Sequence, residues 1–177
     1  MNQSLTQALE LIRIVPDFPQ PGIIFKDVTP LLKDAKAFSA VIEKIASYSE
    51  NFDLVAGIEA RGFILAAAVA GYAGKGFVPI RKSGKLPYLI HSESYGLEYG
   101  VDTLEIHQDG VLNGERVLLL DDVLATGGTL KAASKLIERC GGVIDSVAVL
   151  LEIVGLGGKA KYNKAFPNVV VNTVFPE

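Results

Sequence analysis

The fold is decided by one stretch: Arg116-Val117-Leu118-Leu119-Leu120-Asp121-Asp122-Val123-Leu124-Ala125-Thr126-Gly127-Gly128-Thr129-Leu130. Its aliphatic run, Val117 to Leu120, reads as a strand buried on both faces of a parallel sheet. Two carboxylates, Asp121 and Asp122, end that strand. A short turn follows, Ala125-Thr126-Gly127-Gly128-Thr129. Helical spacing then sets Leu130, Ala133, Leu136, Ile137 and Cys140 on one side, until Gly141-Gly142 stops the helix. A glycine-rich turn opening a helix presents free backbone N–H groups at the positive end of the helix dipole, which is an anion site. Glycine serves there because a Cβ would block the approach of a phosphate and because such turns often need φ > 0. Thr126 and Thr129 add hydroxyl donors.

The two aspartates carry further information. Carboxylates beside a phosphate site repel the phosphate, but they fit if they accept hydrogen bonds from sugar hydroxyls next to it. A 5-phosphoribosyl group has that layout, with a phosphate at one end and vicinal hydroxyls on the ring. Neither the Gly-x-x-x-x-Gly-Lys-Ser/Thr loop nor the dinucleotide Gly-x-Gly-x-x-Gly is present.

Composition bounds the class. The chain has 177 residues, 49% of them hydrophobic, which fits one domain with a sizeable core and argues against disorder. A formal net charge of −3 leaves no general basic footprint for nucleic acid. The single cysteine, Cys140, cannot form an internal disulfide, which fits a reducing cytoplasm. No signal peptide is evident at the N-terminus, where Ser4 and Gln7 fit a capping box and Leu5, Leu9 and Ile12 make an apolar stripe. The longest apolar run, Gly62 to Gly74, is too short to span a bilayer and reads as a buried helix.

Other segments alternate strand and helix. Prolines and a glycine in Val15–Pro30 exclude a regular helix there, and Ile23 to Val28 reads as a short strand or an ordered loop. Asp34 to Tyr48 is an amphipathic helix. Leu54 to Ile58 is a central strand, followed by Glu59-Ala60-Arg61-Gly62 and the apolar helix Phe63 to Tyr72. Arg61 sits between two apolar stretches, either as a ligand contact or as a helix-start surface residue. Phe77 to Ile80 is the next strand and runs into Arg81-Lys82-Ser83-Gly84-Lys85-Leu86-Pro87. Three cations in five residues on an acidic chain suit a polyanionic ligand, although such a loop alone also reads as a solvated charged turn. Tyr88 to Gln108 reads as a hairpin of the kind that serves as an active-site lid. Val143 to Leu151 and a peripheral Val169 to Val174 are strands, with Gly155 to Gly158 a loop between them. The alternation argues an open, mostly parallel α/β sheet flanked by helices, with its site at the strand ends.

Leu120 to Thr129 resembles the phosphoribosyl-pyrophosphate motif of the type I phosphoribosyltransferases. The resemblance spans about Pro16 to Glu152 and is nearest to the members that use adenine. It implies one phosphoribosyltransferase domain over 1–177, with a small N-terminal hood at about 16–30 and a flexible lid hairpin at about 88–108. It implies phosphoribosyl contacts at Asp121, Asp122, Ala125, Thr126, Gly127, Gly128 and Thr129. Pyrophosphate contacts fall on Arg61, Arg81, Lys82 and Lys85, and a strained peptide on Glu59-Ala60. Adenine contacts fall on Ile24, Phe25, Lys26 and Val123; relatives often carry arginine at the position of Lys26. In the lid segment Leu97-Glu98-Tyr99-Gly100, Glu98 matches the catalytic carboxylate and Tyr99 a lid residue, while Glu93 and Glu105 read as plain hairpin charges. The implied reaction joins adenine to 5-phosphoribosyl 1-pyrophosphate, giving AMP and pyrophosphate in purine salvage. Mg²⁺ is implied as the cofactor, held through the substrate near Asp121 and Asp122 rather than by direct protein ligands. A homodimer is implied, with no nucleic-acid or membrane partner. Two rivals stand beside this: a phosphoribosyltransferase for another base, and a non-catalytic sensor of the same sugar phosphate. The sensor would need a DNA-binding module, for which the chain has no segment.

Overall fold

The computed structural model describes residues 3–96 and 100–176. Within these the chain forms two compact units, divided after Ile45.

The first unit holds helix α1 (Gln3–Glu10), strands β1 (Arg13–Pro16) and β2 (Ile24–Asp27), helix α2 (Thr29–Lys33) and most of α3 (Ala35–Ala46). Helix α1 already includes Ser4, so Ser4 is not its N-cap, and Leu5 and Ala8 are its buried residues while Leu9 is exposed. The proline-rich segment resolves into an antiparallel pair, with Arg13 opposite Asp27 and Pro16 opposite Ile24. The Phe18 and Phe25 rings meet edge to face at 5.1 Å. Asp34 caps α3, its Oδ1 accepting the N–H groups of Lys36 and Ala37 at 3.0 and 2.9 Å.

The second unit carries β3 (Leu54–Ile58), α4 (Arg61–Ala73), β4 (Gly76–Lys82), β5 (Ile90–Gly96), β6 (Val101–His107), β7 (Arg116–Leu124), α5 (Gly128–Arg139), β8 (Val143–Glu152), α6 (Gly158–Ala165) and β9 (Val170–Phe175). Its seven-stranded sheet runs β5-β6-β4-β3-β7-β8-β9. The strands from β4 to β9 in that order are parallel, and the β5–β6 hairpin joins the edge antiparallel. From β3 the chain crosses to β4 on one side, and from β7 to β8 on the other. Right-handed crossovers in opposite directions put α4 on one face of the sheet and α5 and α6 on the other. Accordingly Leu130, Leu136, Ile137, Tyr162 and Phe166 share one core with Val117, Leu119 and Val147.

Two expectations are corrected. Strand β7 does not end at the aspartates but runs on to Leu124. It pairs with β3 only from Leu54↔Val117 to Gly57↔Leu120, yet with β8 as far as Leu124↔Glu152. Asp121 and Asp122 therefore stand on a strand that outruns its neighbour. The segment after Gly157 is not only a loop, because α6 follows at once. Strand β6 of the hairpin also hydrogen-bonds to β4 at Arg81↔Glu105 and Lys82↔Leu104.

Candidate active site

The order of strands reverses between β3 and β7. In an open α/β sheet that reversal opens a crevice at the carboxyl ends, where ligands bind. Three chain segments reach it: Glu59-Ala60-Arg61 after β3, the 81–85 loop after β4, and the Asp121–Thr129 segment of β7 and its turn.

At the β7 end, Asp121 and Asp122 are both buried. Asp121 Oδ1 accepts the N–H of Asp122 at 2.9 Å. Arg61 Nε stands 2.7 Å from Asp122 Oδ2, an ion pair rather than an aligned hydrogen bond. Burial first, and then the charge of Asp122, push the Asp121 carboxyl well above the usual carboxylate range; Arg61 pulls the other way. Two adjacent carboxylates thus share a dry site with one arginine. The approach of α4 to β7 depends on Gly62, where a Cβ would lie 3.0 Å from the Leu120 carbonyl oxygen.

The turn itself has Gly127 at φ 82°, with no side chain capping the first turn of α5. Its first N–H groups therefore have no side-chain partner at the cap. Val123, Ala125, Thr126, Gly127, Thr129 and Leu156 line a cavity of about 200 Å³. Gly128 abuts the end of β5: a Cβ there would lie 3.2 Å from the Gly96 carbonyl oxygen and 3.4 Å from the Tyr95 ring.

Each cation of the 81–85 loop faces an acid. Arg81 Nε and Nη2 donate to Glu59 at 3.2 and 3.4 Å, and Lys85 Nζ donates to the same carboxylate. Burial raises the pKa of Glu59, but Lys85, the Lys82 N–H and Arg81 outweigh it and bring it to about 2. Lys82 Nζ bonds to Asp102 and, at 2.9 Å, to the Tyr95 hydroxyl. Since Tyr95 also packs by Gly128, Lys82 and Tyr95 link the basic loop to the Ala125–Thr129 turn. The Glu59–Ala60 peptide is cis.

The structure thus brings Arg61 to Asp122, and Val123 to the Ala125–Thr129 turn. Arg81 and Lys85 share one carboxylate, while Lys82 turns to Asp102. Ile24, Phe25 and Lys26 lie on β2 in the first unit. Glu98 and Tyr99 fall outside the described residues. Glu93 and Glu105 are not plain hairpin charges. Glu93 is clasped by Lys135 and Arg139 at 2.6 and 2.5 Å, and Glu105 is buried under the 81–85 loop.

The sequence reading also missed a brace under the Ala125–Thr129 turn. Gly158, the first residue of α6, touches it so closely that a Cβ there would lie 2.1 Å from the Ala125 carbonyl oxygen. Helix α6 is pinned to α5 by Tyr162, whose hydroxyl lies 2.8 Å from Ser134 Oγ in the core. The signal was present as Gly157-Gly158 ahead of a short lysine-rich run.

Comparison with known proteins gives the family and agrees with the fold. The phosphoribosyl transferase domain family matches residues 27–175. An adenine phosphoribosyltransferase of Caldanaerobacter subterraneus subsp. tengcongensis is 54% identical over 160 residues, 89% of this chain and 92% of the relative. This chain belongs to the adenine phosphoribosyltransferases. The crystal structure of the Thermoanaerobacter pseudethanolicus adenine phosphoribosyltransferase superposes with a TM-score of 0.91 at 48% identity, covering 98% of this chain and 99% of that one. The Saccharomyces cerevisiae adenine phosphoribosyltransferase, solved with an imino-altritol bisphosphate and adenine, superposes at 0.90 with 30% identity over 99% of this chain and all of the other. Against these adenine phosphoribosyltransferases the expected fold class holds.

Proposed function

We propose that this chain transfers the 5-phosphoribosyl group of 5-phosphoribosyl 1-pyrophosphate to adenine, releasing pyrophosphate and forming AMP for purine salvage. The observation that carries this is the arrangement at the sheet reversal. A paired Asp121-Asp122 runs straight into an uncapped Gly-Gly turn, with Arg61 alongside. The turn residues Ala125 to Thr129 take the 5-phosphate. Asp121 and Asp122 accept the ribose hydroxyls, and Val123 contacts the base. Arg61, Arg81, Lys82 and Lys85 take the pyrophosphate, Arg by donating to two oxygens at once and Lys as a point charge. The backbone of Ile24, Phe25 and Lys26 reads the edge of adenine.

In the reaction the bond from ribose C1 to the pyrophosphate oxygen breaks, with its electron pair leaving on that oxygen. The N9 lone pair of adenine forms the new bond to C1 through an oxocarbenium-like state. The base loses one proton, and Glu98 is the proposed acceptor, with Tyr99 beside it in the lid. Mg²⁺ supplies charge neutralisation on the phosphate oxygens when bound. The donor set fits an ion carried largely by substrate: two adjacent carboxylates are at hand, and among the described residues no group of three or more His, Cys, Asp or Glu could hold a metal.

The whole chain is proposed to act as one phosphoribosyltransferase domain, in the cytoplasm, where its one thiol stays reduced. Among the described residues no helix is long and apolar enough to cross a membrane. A homodimer is proposed through α4, whose exposed residues Ile64, Ala67 and Tyr72 leave its outer face apolar. A monomer mass in sedimentation at micromolar concentration would overturn that.

A base panel tests the reaction. With Mg²⁺ and phosphoribosyl pyrophosphate, adenine should turn over far better than hypoxanthine, guanine or uracil. Preferred turnover of a 6-oxopurine overturns the base assignment, and turnover of no base favours a sensor.

A further inference from the structure

The basic loop 81–85 stands on two carboxylates that lie outside it. Glu59, just beyond β3, keeps only 10% of its side chain exposed. It accepts the Lys82 N–H at 3.0 Å, the Arg81 guanidinium and the Lys85 ammonium. Glu105, on β6, is 5% exposed. One of its oxygens accepts Ser83 Oγ at 2.7 Å and the other the Gly84 N–H at 2.9 Å. Arg81 Nη1 closes the loop on itself by donating to the Lys85 carbonyl oxygen at 3.2 Å.

Every residue from Arg81 to Lys85 is therefore tied by its backbone or side chain to one of two acids. Without them, Arg81 and Lys85 lose the carboxylate they share, and the turn at Gly84, with φ 78°, keeps only the Arg81 bond to the Lys85 carbonyl and the Ser83 N–H bond to the Thr103 carbonyl oxygen. Burying a carboxylate is costly unless donors satisfy it, and a loop that needed only to connect β4 to β5 could do so without one. The two acids also differ. Glu59 touches the charges, whereas Glu105 touches only a hydroxyl and a backbone N–H, so it sets shape without neutralising any cation.

We propose that Glu59 and Glu105 are positioning residues for the pyrophosphate end of the substrate: they preform the 81–85 loop so that a polyanion binds to a cradle already built. The inference rests on the pyrophosphate role proposed above for Arg81, Lys82 and Lys85. Neither glutamate touches substrate. Preorganisation of this kind lowers the ordering cost of binding.

The test compares two ligands of the intact chain by calorimetric titration with Mg²⁺ present. Pyrophosphate engages the loop, while AMP carries no pyrophosphate and reports on the rest of the site. Glu59→Gln and Glu105→Gln should each weaken pyrophosphate about 10-fold or more, the scale of a lost charge-assisted bond. AMP affinity should stay within about 2-fold, since additivity fails only for groups in contact. In steady state KM for phosphoribosyl pyrophosphate should rise while KM for adenine holds. Should Glu105→Gln fail to fold, Ser83→Ala cuts the same link from the loop side and should weaken pyrophosphate selectively as well. Equal weakening of both ligands reduces the acids to structural residues and overturns the proposal. Unchanged or tighter pyrophosphate binding overturns it too, the latter by making the acids competitors. A wild-type chain that binds AMP but not pyrophosphate refutes the pyrophosphate role of the loop itself, and this inference with it.

Discussion

Gly158→Ala puts the brace under the phosphate turn to a direct test. The residue opens α6 without a positive φ, so alanine meets no backbone restriction, and helix propensity favours it by about 0.5–1 kcal/mol. Sterics oppose it. The new Cβ would lie 2.1 Å from the Ala125 carbonyl oxygen, 2.9 Å from its carbon and 3.0 Å from the Gly127 nitrogen. All three are backbone atoms, so no side chain can swing away. Reaching the 3.4 Å where ordinary contact begins needs a displacement of about 1.3 Å between α6 and the turn. Overpacking of this kind costs about 1–3 kcal/mol, which leaves a net loss of up to about 2.5 kcal/mol. The protein should fold. The turn proposed to take the 5-phosphate should not keep its place, and a shift of about 1 Å in a positioned group costs on the order of 10²-fold. The assay is AMP titration beside thermal unfolding. Gly155→Ala is the control, since a Cβ at Gly155 meets nothing within 4 Å. A folded Gly158→Ala chain with wild-type AMP affinity would refute the claim that α6 braces the turn.

Three further outcomes are expected. Asp122→Asn should weaken AMP and phosphoribosyl pyrophosphate by about 1–3 kcal/mol with little effect on folding; unchanged affinity for both ligands, in this variant and in Asp121→Asn, counts against the ribose role. Glu98→Gln should keep most of the adenine affinity and lower the single-turnover rate about 10²–10⁴-fold; a wild-type single-turnover rate would make Glu98 a bystander. Glu59 falls from an ordinary 4.5 to about 2 on folding, so its stabilisation is complete above 4.5 and is lost as pH falls through about 2. Urea unfolding between those pH values should show a shallower acid limb in Glu59→Gln, and identical limbs would refute the carboxylate's favourable pairing.

What the sequence made legible was whatever local chemistry encodes. Val117 to Leu120 has only one reading, as a doubly covered strand, and Gly127 needs its positive φ whatever lies nearby. The length of β7 was not legible, because Asp121 and Asp122 look like a strand end. They remain in the strand because β8 continues beside them after β3 has stopped, a fact of tertiary register. Helix α6 was hidden for a similar reason. Gly158-Lys159-Ala160-Lys161 has weak apolar periodicity, and Tyr162, the residue that fixes it, finds its partner Ser134 on another helix. Glu93 and Glu105 looked like hairpin charges since strand alternation shows which way a side chain points but not which donors await it.

The same limit governs the electrostatics. Read alone, Arg61, Arg81, Lys82 and Lys85 are four cations awaiting an anion. Folded, each already faces a carboxylate: Asp122, Glu59, Asp102 and again Glu59. Unpaired, such a cluster would repel itself and recruit any passing polyanion. Paired, it is held in place, so that the cost of ordering it is met before a ligand arrives. A ligand with many phosphate oxygens meets several positioned cations at once, whereas a single-charge anion meets one and gains little. Preference for a polyphosphate thus follows from positioning the cations in advance, and it is the acids, which the motif does not advertise, that position them.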